Sequence, residues 1–359
     1  MLQKLKNYWH LLESVAAAIF YRFPGKKLTV IGVTGTDGKT TTTTLLHHIL
    51  TMAGIKAGVS STLFSPHTTT PGRWRTQKFL AQSLNNGCTH AVLEVTSIAI
   101  DQYRVWGINF AIGVLTNIAD HEHLDYHKTF AAYRATKLGF LASCRQQVDA
   151  AKLSPRDFKK ILTASKLPGE FNAQNVMAAS AAARLLGIDD ATIIKAVASF
   201  KLPSGRLEIV AKKPFTVIVD FAHTPQAFSA VLPVAKKMGK RLIHVFGATG
   251  NRDKDKRPIM AQIAAEYDDF IVLTHEDTYS EDPKAIIAQL EAGLAAVNYQ
   301  TYGKAYDRRE AIEAALKEAK PGDVVILTGV GHQKSMNLAG REVPWSDQKT
   351  VLELLEHRE

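Results

Sequence analysis

Val30-Ile31-Gly32-Val33-Thr34-Gly35-Thr36-Asp37-Gly38-Lys39-Thr40-Thr41-Thr42 decides how this chain is read: an apolar run breaks into a glycine-punctuated turn and then into a threonine-rich helix start. That order is the grammar of a phosphate cradle. Gly35 and Gly38 let the backbone turn tightly so that its N–H groups converge, with Thr36, Asp37 and Thr41 completing the loop. The new helix adds its N-terminal dipole, Lys39 a point charge, and Thr40 a hydroxyl for Mg²⁺. The generic G-x-x-x-x-G-K-[ST] pattern fails by one residue, because Val33 stands where its first glycine belongs.

Outward from this stretch, short apolar runs alternate with helix-length segments, the pattern of an α/β chain with a mostly parallel sheet. Leu28 to Val33 reads as the first strand, Thr40 to Ala53 as a helix and Lys56 to Leu63 as a strand. Gln77 to Asn85 reads as a helix, and His90 to Val95 and Phe110 to Thr116 as strands. Strand ends in such sheets line the ligand crevice, which places Glu94 and Asn117 near the cradle. Between Cys144 and Gly169 only a small helix around Asp157 to Ala164 is expected. An alanine-rich helix opening at Gly169 to Asn175 and a second helix over Asp190 to Phe200 lead to Pro203-Ser204-Gly205-Arg206, where the alternation restarts with strands at Thr216 to Asp220, Arg241 to Phe246, Asp269 to Thr274 and Asp323 to Thr328. The expected organisation is a helical segment over 1–27 followed by two α/β domains, over 28–203 and 204–359, which the resemblance given below implies to be a central P-loop ATPase domain and a Rossmann-like domain.

With 46% hydrophobic and 22% charged residues the composition is that of a globular protein. Cys88 and Cys144 fit neither a zinc pattern nor a disulfide framework, so a reducing cytoplasm is expected. The formal charge of +10 is spread among acids without a basic block. This argues against nucleic acid and is equally explained by anionic substrates. No segment is apolar for long enough to span a bilayer. Over Leu2 to Phe23, Trp9, Leu11, Leu12, Val15, Ala16, Ile19, Phe20 and Phe23 recur at roughly helical spacing, with Lys4, Lys6 and Arg22 at the ends. Two readings stand: a helix packed on the first domain, or an interfacial helix making peripheral membrane contact. A monomer is expected.

T-G-T-[ND]-G-K-T-T is the phosphate loop of the Mur ligases, and Thr34 to Thr41 resembles it residue for residue. Further motifs follow in family order. Thr116-Asn117 and Leu124-Asp125-Tyr126-His127 resemble the T-N…D-H-L-D-Y-H run of MurE-type enzymes, and His123 and Lys137 lie 14 positions apart, the family's interval. Gly169 to Asn175 resembles G-x-F-N-x-x-N, Pro203 to Glu208 the P-G-R-x-E hinge, Val219 to Pro225 V-D-Y-A-H-T-P, and Phe246 to Pro258 F-G-x-x-G-[DN]-R-D-x-x-K-R-P.

The resemblance implies an ATP- and Mg²⁺-dependent ligase that activates a muramoyl-peptide-like carboxylate as an acyl phosphate for attack by an amino acid's amine. It implies catalytic roles for Lys39, Glu94, His123 and Lys137, with Thr40, Glu94, His123 and a carbamylated Lys137 serving the metal. Asn172 and Asn175 would meet the adenine side of ATP, Arg206 the nucleotide and Asp220 the ribose, with ATP between the domains. Thr69, Thr70, Thr96, Gln102 and Arg104 would meet the donor, and Arg252, Glu276 and Asp277 are further substrate candidates.

Four departures matter. Glu122 stands where the family has Asp, and one extra residue follows Asn117. About 27 residues precede the first strand, too few for the family's uridine-nucleotide domain. The donor is then held without its UDP part, is lipid-linked, or is another acid. The diaminopimelate signature D-N-P-R is replaced by Glu276-Asp277-Thr278-Tyr279, and G-x-G-H-E by Gly329-Val330-Gly331-His332-Gln333, so neither diaminopimelate nor lysine carries over as the acceptor. A ligase for another acid and a nucleotide-binding subunit without ligation remain the alternatives.

Overall fold

A computed structural model describes residues 2–64, 68–120 and 124–357. Of these residues, 2–64, 68–120 and 126–201 form one compact unit, and 124–125 and 202–357 the other.

In the first unit α1 (Leu2–Phe20) precedes β1 (Thr29–Thr34), α2 (Lys39–Met52), β2 (Ala57–Ser60), α3 (Arg73–Asn85) and β3 (His90–Glu94). Then come α4 (Ser97–Asp101), β4 (Phe110–Leu115), α5 (Leu124–His127), α6 (Phe130–Ser143), β5 (Gln146–Asp149), α7 (Lys159–Ala164), α8 (Glu170–Leu185) and α9 (Asp190–Ser199). The five strands form a parallel sheet in the order β2-β3-β1-β4-β5. The central strands are continuous apolar runs because helices cover both faces. On one face Leu45, Leu46, Ile49 and Leu50 of α2 pack with Ile31 and Val33 and with the alanines of α8. The other face buries Val30, Leu93, Phe110 and Phe140.

The second unit contains β6 (Glu208–Ala211), β7 (Thr216–Val219), α10 (Pro225–Lys236), β8 (Leu242–Phe246), α11 (Lys256–Tyr267), β9 (Phe270–Leu273) and α12 (Pro283–Ala296). After them follow β10 (Tyr302–Lys304), α13 (Arg308–Glu318), β11 (Val324–Leu327), β12 (Ser335–Leu338), β13 (Arg341–Pro344) and α14 (Asp347–Glu356). Its main sheet runs β10-β9-β8-β11-β7-β6, parallel except for the antiparallel edge strand β6, and β12 and β13 form a hairpin. The α/β expectation therefore holds in both units.

Two expectations need correction. Residues 144–169 contain a strand, β5, whose sequence Gln-Gln-Val-Asp buries only Val148. As an edge strand it carries no alternation to read. The apolar set on α1 does not form one packed face. Leu11, Val15 and Phe23 are half-buried, whereas Trp9, Leu12, Ala16, Ile19 and Phe20 are exposed.

Candidate functional site

Strand register builds the first constellation. Val33 of β1 lies opposite Glu94 of β3, and Thr34 opposite Leu115 of β4, so Glu94 and the Thr116-Asn117 pair emerge on either side of the loop that leaves β1. Asn117 Oδ1 accepts from the N–H groups of Thr36 (3.1 Å) and Asp37 (2.9 Å). Thr116 Oγ1 donates to the Asp37 carbonyl at 2.6 Å. The glycines are obligatory here. Gly38 caps α2 at φ 80°, where a Cβ would lie 2.2 Å from Asn175 Oδ1, and a Cβ on Gly35 would lie 1.8 Å from Thr116 Oγ1. Thr40 and Thr41 are buried in the first turn of α2.

Lys39 Nζ folds back to the carbonyls of Gly35 (3.1 Å) and Thr36 (2.7 Å). Lys137, on α6 and only 1% exposed, donates to the same Gly35 oxygen at 2.5 Å and lies 4.7 Å over the Tyr133 ring. Glu94, 1% exposed, accepts from Thr62 N (3.3 Å) and Thr62 Oγ1 (3.1 Å). His123 lies outside the described residues. Asn172 and Asn175, placed by the resemblance at adenine, are buried beneath the loop. Asn175 Oδ1 accepts from Thr42 Oγ1, Asn175 Nδ2 donates to Asn172 Oδ1, and Asn172 Nδ2 donates to the Pro168 carbonyl. Both amides support the loop and α2 from within the first unit.

The donor-side candidates converge on Thr70. Its hydroxyl donates to the Glu94 carbonyl (2.9 Å) and accepts from Thr96 N (2.9 Å), and Arg104 Nη1 donates to its carbonyl at 2.9 Å. Gln102 Oε1 accepts from Arg104 Nε and Nη2. Thr69 is half-buried beside this cluster. Burial, and then the charge of Arg73, pull Arg104 below its ordinary pKa.

In the second unit the candidates gather at the C-terminal ends of β7, β8, β9 and β11. Asp220 is buried and accepts from Leu207 N (2.6 Å) and Ala222 N (2.7 Å), while the Arg206 guanidinium lies 4.9 Å over the Phe221 ring. Glu276 Oε2 accepts from Thr249 Oγ1 at 2.9 Å, and its buried Oε1 has no hydrogen-bond partner. A Cβ on Gly329 would come within 2.0 Å of that oxygen. Burial pushes the Glu276 carboxyl up to about 7, against the opposing pull of Arg308. Asp277 Oδ1 accepts from Asn337 N (2.8 Å), tying the loop to β12. Arg252 is exposed, and its charge works against the burial that raises the hydroxyl pKa of Tyr279, the residue in the place of the family's arginine.

Several participants escaped the motif reading. Thr62 orients Glu94, and Tyr133, one helical turn before Lys137, exchanges a 2.8 Å hydrogen bond with Thr36 Oγ1. Arg308 pairs with Asp347 at 2.8 and 2.7 Å and donates to the carbonyls of His275 and Thr328. Arg257, which lies within the Phe246 to Pro258 motif but was given no role there, pairs with Glu281 through two 2.8 Å bonds and so holds the Glu281 carboxyl down at about 2. The i, i+4 spacing of Tyr133 and Lys137 was a usable signal. The other contacts join distant parts of the sequence.

The descriptions "Mur ligase middle domain" and "Mur ligase, glutamate ligase domain" match residues 33–152 and 205–331. The chain is 35% identical to the UDP-N-acetylmuramoyl-L-alanyl-D-glutamate--2,6-diaminopimelate ligase of Cytophaga hutchinsonii, over 95% of this chain and 80% of the relative. It is 34% identical to the UDP-N-acetylmuramyl-tripeptide synthetase of Borreliella burgdorferi, over 93% and 77%. A solved UDP-N-acetylmuramoyl-L-alanyl-D-glutamate--2,6-diaminopimelate ligase superposes with a TM-score of 0.56 at 27% identity, over 92% of this chain and 79% of that one. FolC of E. coli shares the fold, with a TM-score of 0.70 at 21% identity over 97% and 94%. With the phosphate loop, its buried supports and this similarity in hand, the chain belongs to the Mur ligase family and is an ATP-dependent ligase of the amide-forming kind.

Proposed function

We propose that this ligase activates the carboxylate of a muramoyl-peptide-like donor with ATP and joins it to the amine of an amino acid. The observation that carries the reading is the pair of ammonium groups, Lys39 and Lys137, held at the phosphate loop beside a strand that ends in the buried Glu94. Transfer of the γ-phosphoryl group to a carboxylate oxygen brings anions together, so cations held in place lower the barrier. The transfer yields ADP and an acyl phosphate. The amine then attacks the acyl carbon, inorganic phosphate leaves, and the amine's proton is lost as the amide forms.

In this reading the loop N–H groups and Lys39 bind the β- and γ-phosphates. Lys137 supports the loop through Gly35, and the Thr70, Thr96, Gln102 and Arg104 cluster orients the donor. The hydroxyl of Thr40 and the carboxylate of Glu94 are hard oxygen donors suited to Mg²⁺ and, with His123, would hold it. When bound, the ion neutralises charge between phosphate and carboxylate oxygens. On the acceptor side, Glu276 offers a buried oxygen for an amine. The relatives' names specify 2,6-diaminopimelate, but Tyr279 occupies the place of the arginine that would pair with that acceptor's distal carboxylate, so we assign a different acceptor.

Phosphate release from ATP, measured with muramoyl-peptide donors with and without UDP against a panel of amino acids, tests this. Release that requires both a donor and one amine supports the reading and names the acceptor. ATP binding without amine-dependent release from any pair refutes it.

A further inference from the structure

α1 turns small apolar and polar side chains inward, with Ala17 and Ala18 fully buried, and leaves its large aromatic and aliphatic side chains outside. On the inward side Asn7 Nδ2 donates to Asp101 Oδ2 (2.8 Å) and Ser14 Oγ to the Tyr103 carbonyl (2.7 Å), while Glu13, at the flank, accepts from Arg73 (3.1 Å). At about 100° per residue, Tyr8, Trp9, Leu12, Ala16, Ile19 and Phe20 fall within an arc of about 120° on the opposite side. That face is open: Tyr8 is 65%, Trp9 63%, Ile19 58% and Phe20 69% exposed. Trp74 of α3, itself 44% exposed, continues it, with its ring 5.7 Å from Phe20 and 6.4 Å from Tyr21. A contiguous apolar surface of this kind is not left to water.

Its surroundings choose the occupant. Lys6, Arg22, Lys26 and Lys27 are exposed along or just beyond α1, and Arg75 and Lys78 are exposed on α3. Glu13, paired with Arg73, is the one acid among residues 1–27, and residues 71–80 contain none. A second copy docked on the same face would set these cations against themselves. Aromatic rings rimmed by Lys and Arg suit the headgroup region of an anionic bilayer. Among the described residues no helix is long and apolar enough to cross a membrane, which leaves α1 to lie on its surface.

We infer that the exposed face of α1, continued by Trp74, docks the chain on anionic lipid bilayers. This rests on α1 and α3 and is independent of the proposed ligase chemistry. The test is cosedimentation of the full chain with vesicles of phosphatidylcholine alone and of phosphatidylcholine with phosphatidylglycerol in equal parts. The chain should sediment with the anionic vesicles and be released at high salt. The exposed-site double variant Trp9→Ser/Phe20→Ser should lower partitioning at least about tenfold with an unchanged melting temperature. No partitioning into anionic vesicles, or equal partitioning of the double variant, overturns the inference. So does a wild-type dimer in light scattering that the double variant dissociates, because a second copy would then cover the face.

Discussion

Lys39 and Lys137, 98 positions apart in the sequence, donate to one and the same carbonyl oxygen, that of Gly35. In the proposed reading these two ammonium groups form the cationic wall that an entering phosphate meets. Lys39→Ala should abolish ATP consumption. Lys137→Met, which keeps the buried stem, should weaken nucleotide binding at least about tenfold in calorimetry. Nucleotide affinity equal to wild type in Lys137→Met would reduce Lys137 to a packing role.

Carbamylation would change that pair. A carbamate on Lys137 keeps one N–H for the Gly35 carbonyl but puts an anion where the ammonium stood beside Lys39. If the modified form is the active one, turnover should fall in buffer stripped of carbon dioxide and return on adding bicarbonate. Turnover indifferent to bicarbonate would mean that the ammonium form acts.

Gly38→Ala tests the cradle itself. The residue has φ 80° and its Cβ would meet Asn175 Oδ1 at 2.2 Å. The backbone must shift, at a cost of about 1–3 kcal/mol for the strained conformation alone. Loss of nucleotide binding with a folded circular-dichroism spectrum is the expected result.

Thr62→Val removes the hydroxyl that donates to Glu94 while keeping the side chain's shape. The carboxylate loses one of its orienting bonds, and kcat should fall about tenfold with the melting temperature nearly unchanged. A kcat equal to wild type would remove Thr62 from the site.

Glu276 makes the second unit's stability depend on pH. Its carboxyl titrates at about 7 in the folded chain against an ordinary value of 4.5, so the folded state holds a proton that the unfolded state releases. The stability this proton provides is present below about pH 4.5 and is lost as pH rises through about 7, amounting to about 3 kcal/mol. Glu276→Gln should therefore melt higher than wild type at pH 8, with the difference shrinking toward pH 5. Parallel melting curves at both pH values would refute the assignment.

Much of this protein was legible in the chain. The β1 to α2 turn and the buried strands read over His90 to Val95 and Asp323 to Thr328 are spelled by local spacing, because a phosphate cradle and a parallel strand impose their residue types on a few consecutive positions. Elements whose definition is non-local were not. β5 exists because β4 offers it an edge, and its own sequence shows no alternation. Lys137 reaches Gly35 across 102 positions, Arg308 reaches Asp347 across 39, and Glu276 owes its raised pKa to burial that no neighbour in sequence provides. The apolar residues of α1 could be counted in the sequence. Which of them face outward was decided in the tertiary structure, where Asp101 and Tyr103 offer partners to Asn7 and Ser14 and the small side chains of Ala17 and Ala18 are the ones buried.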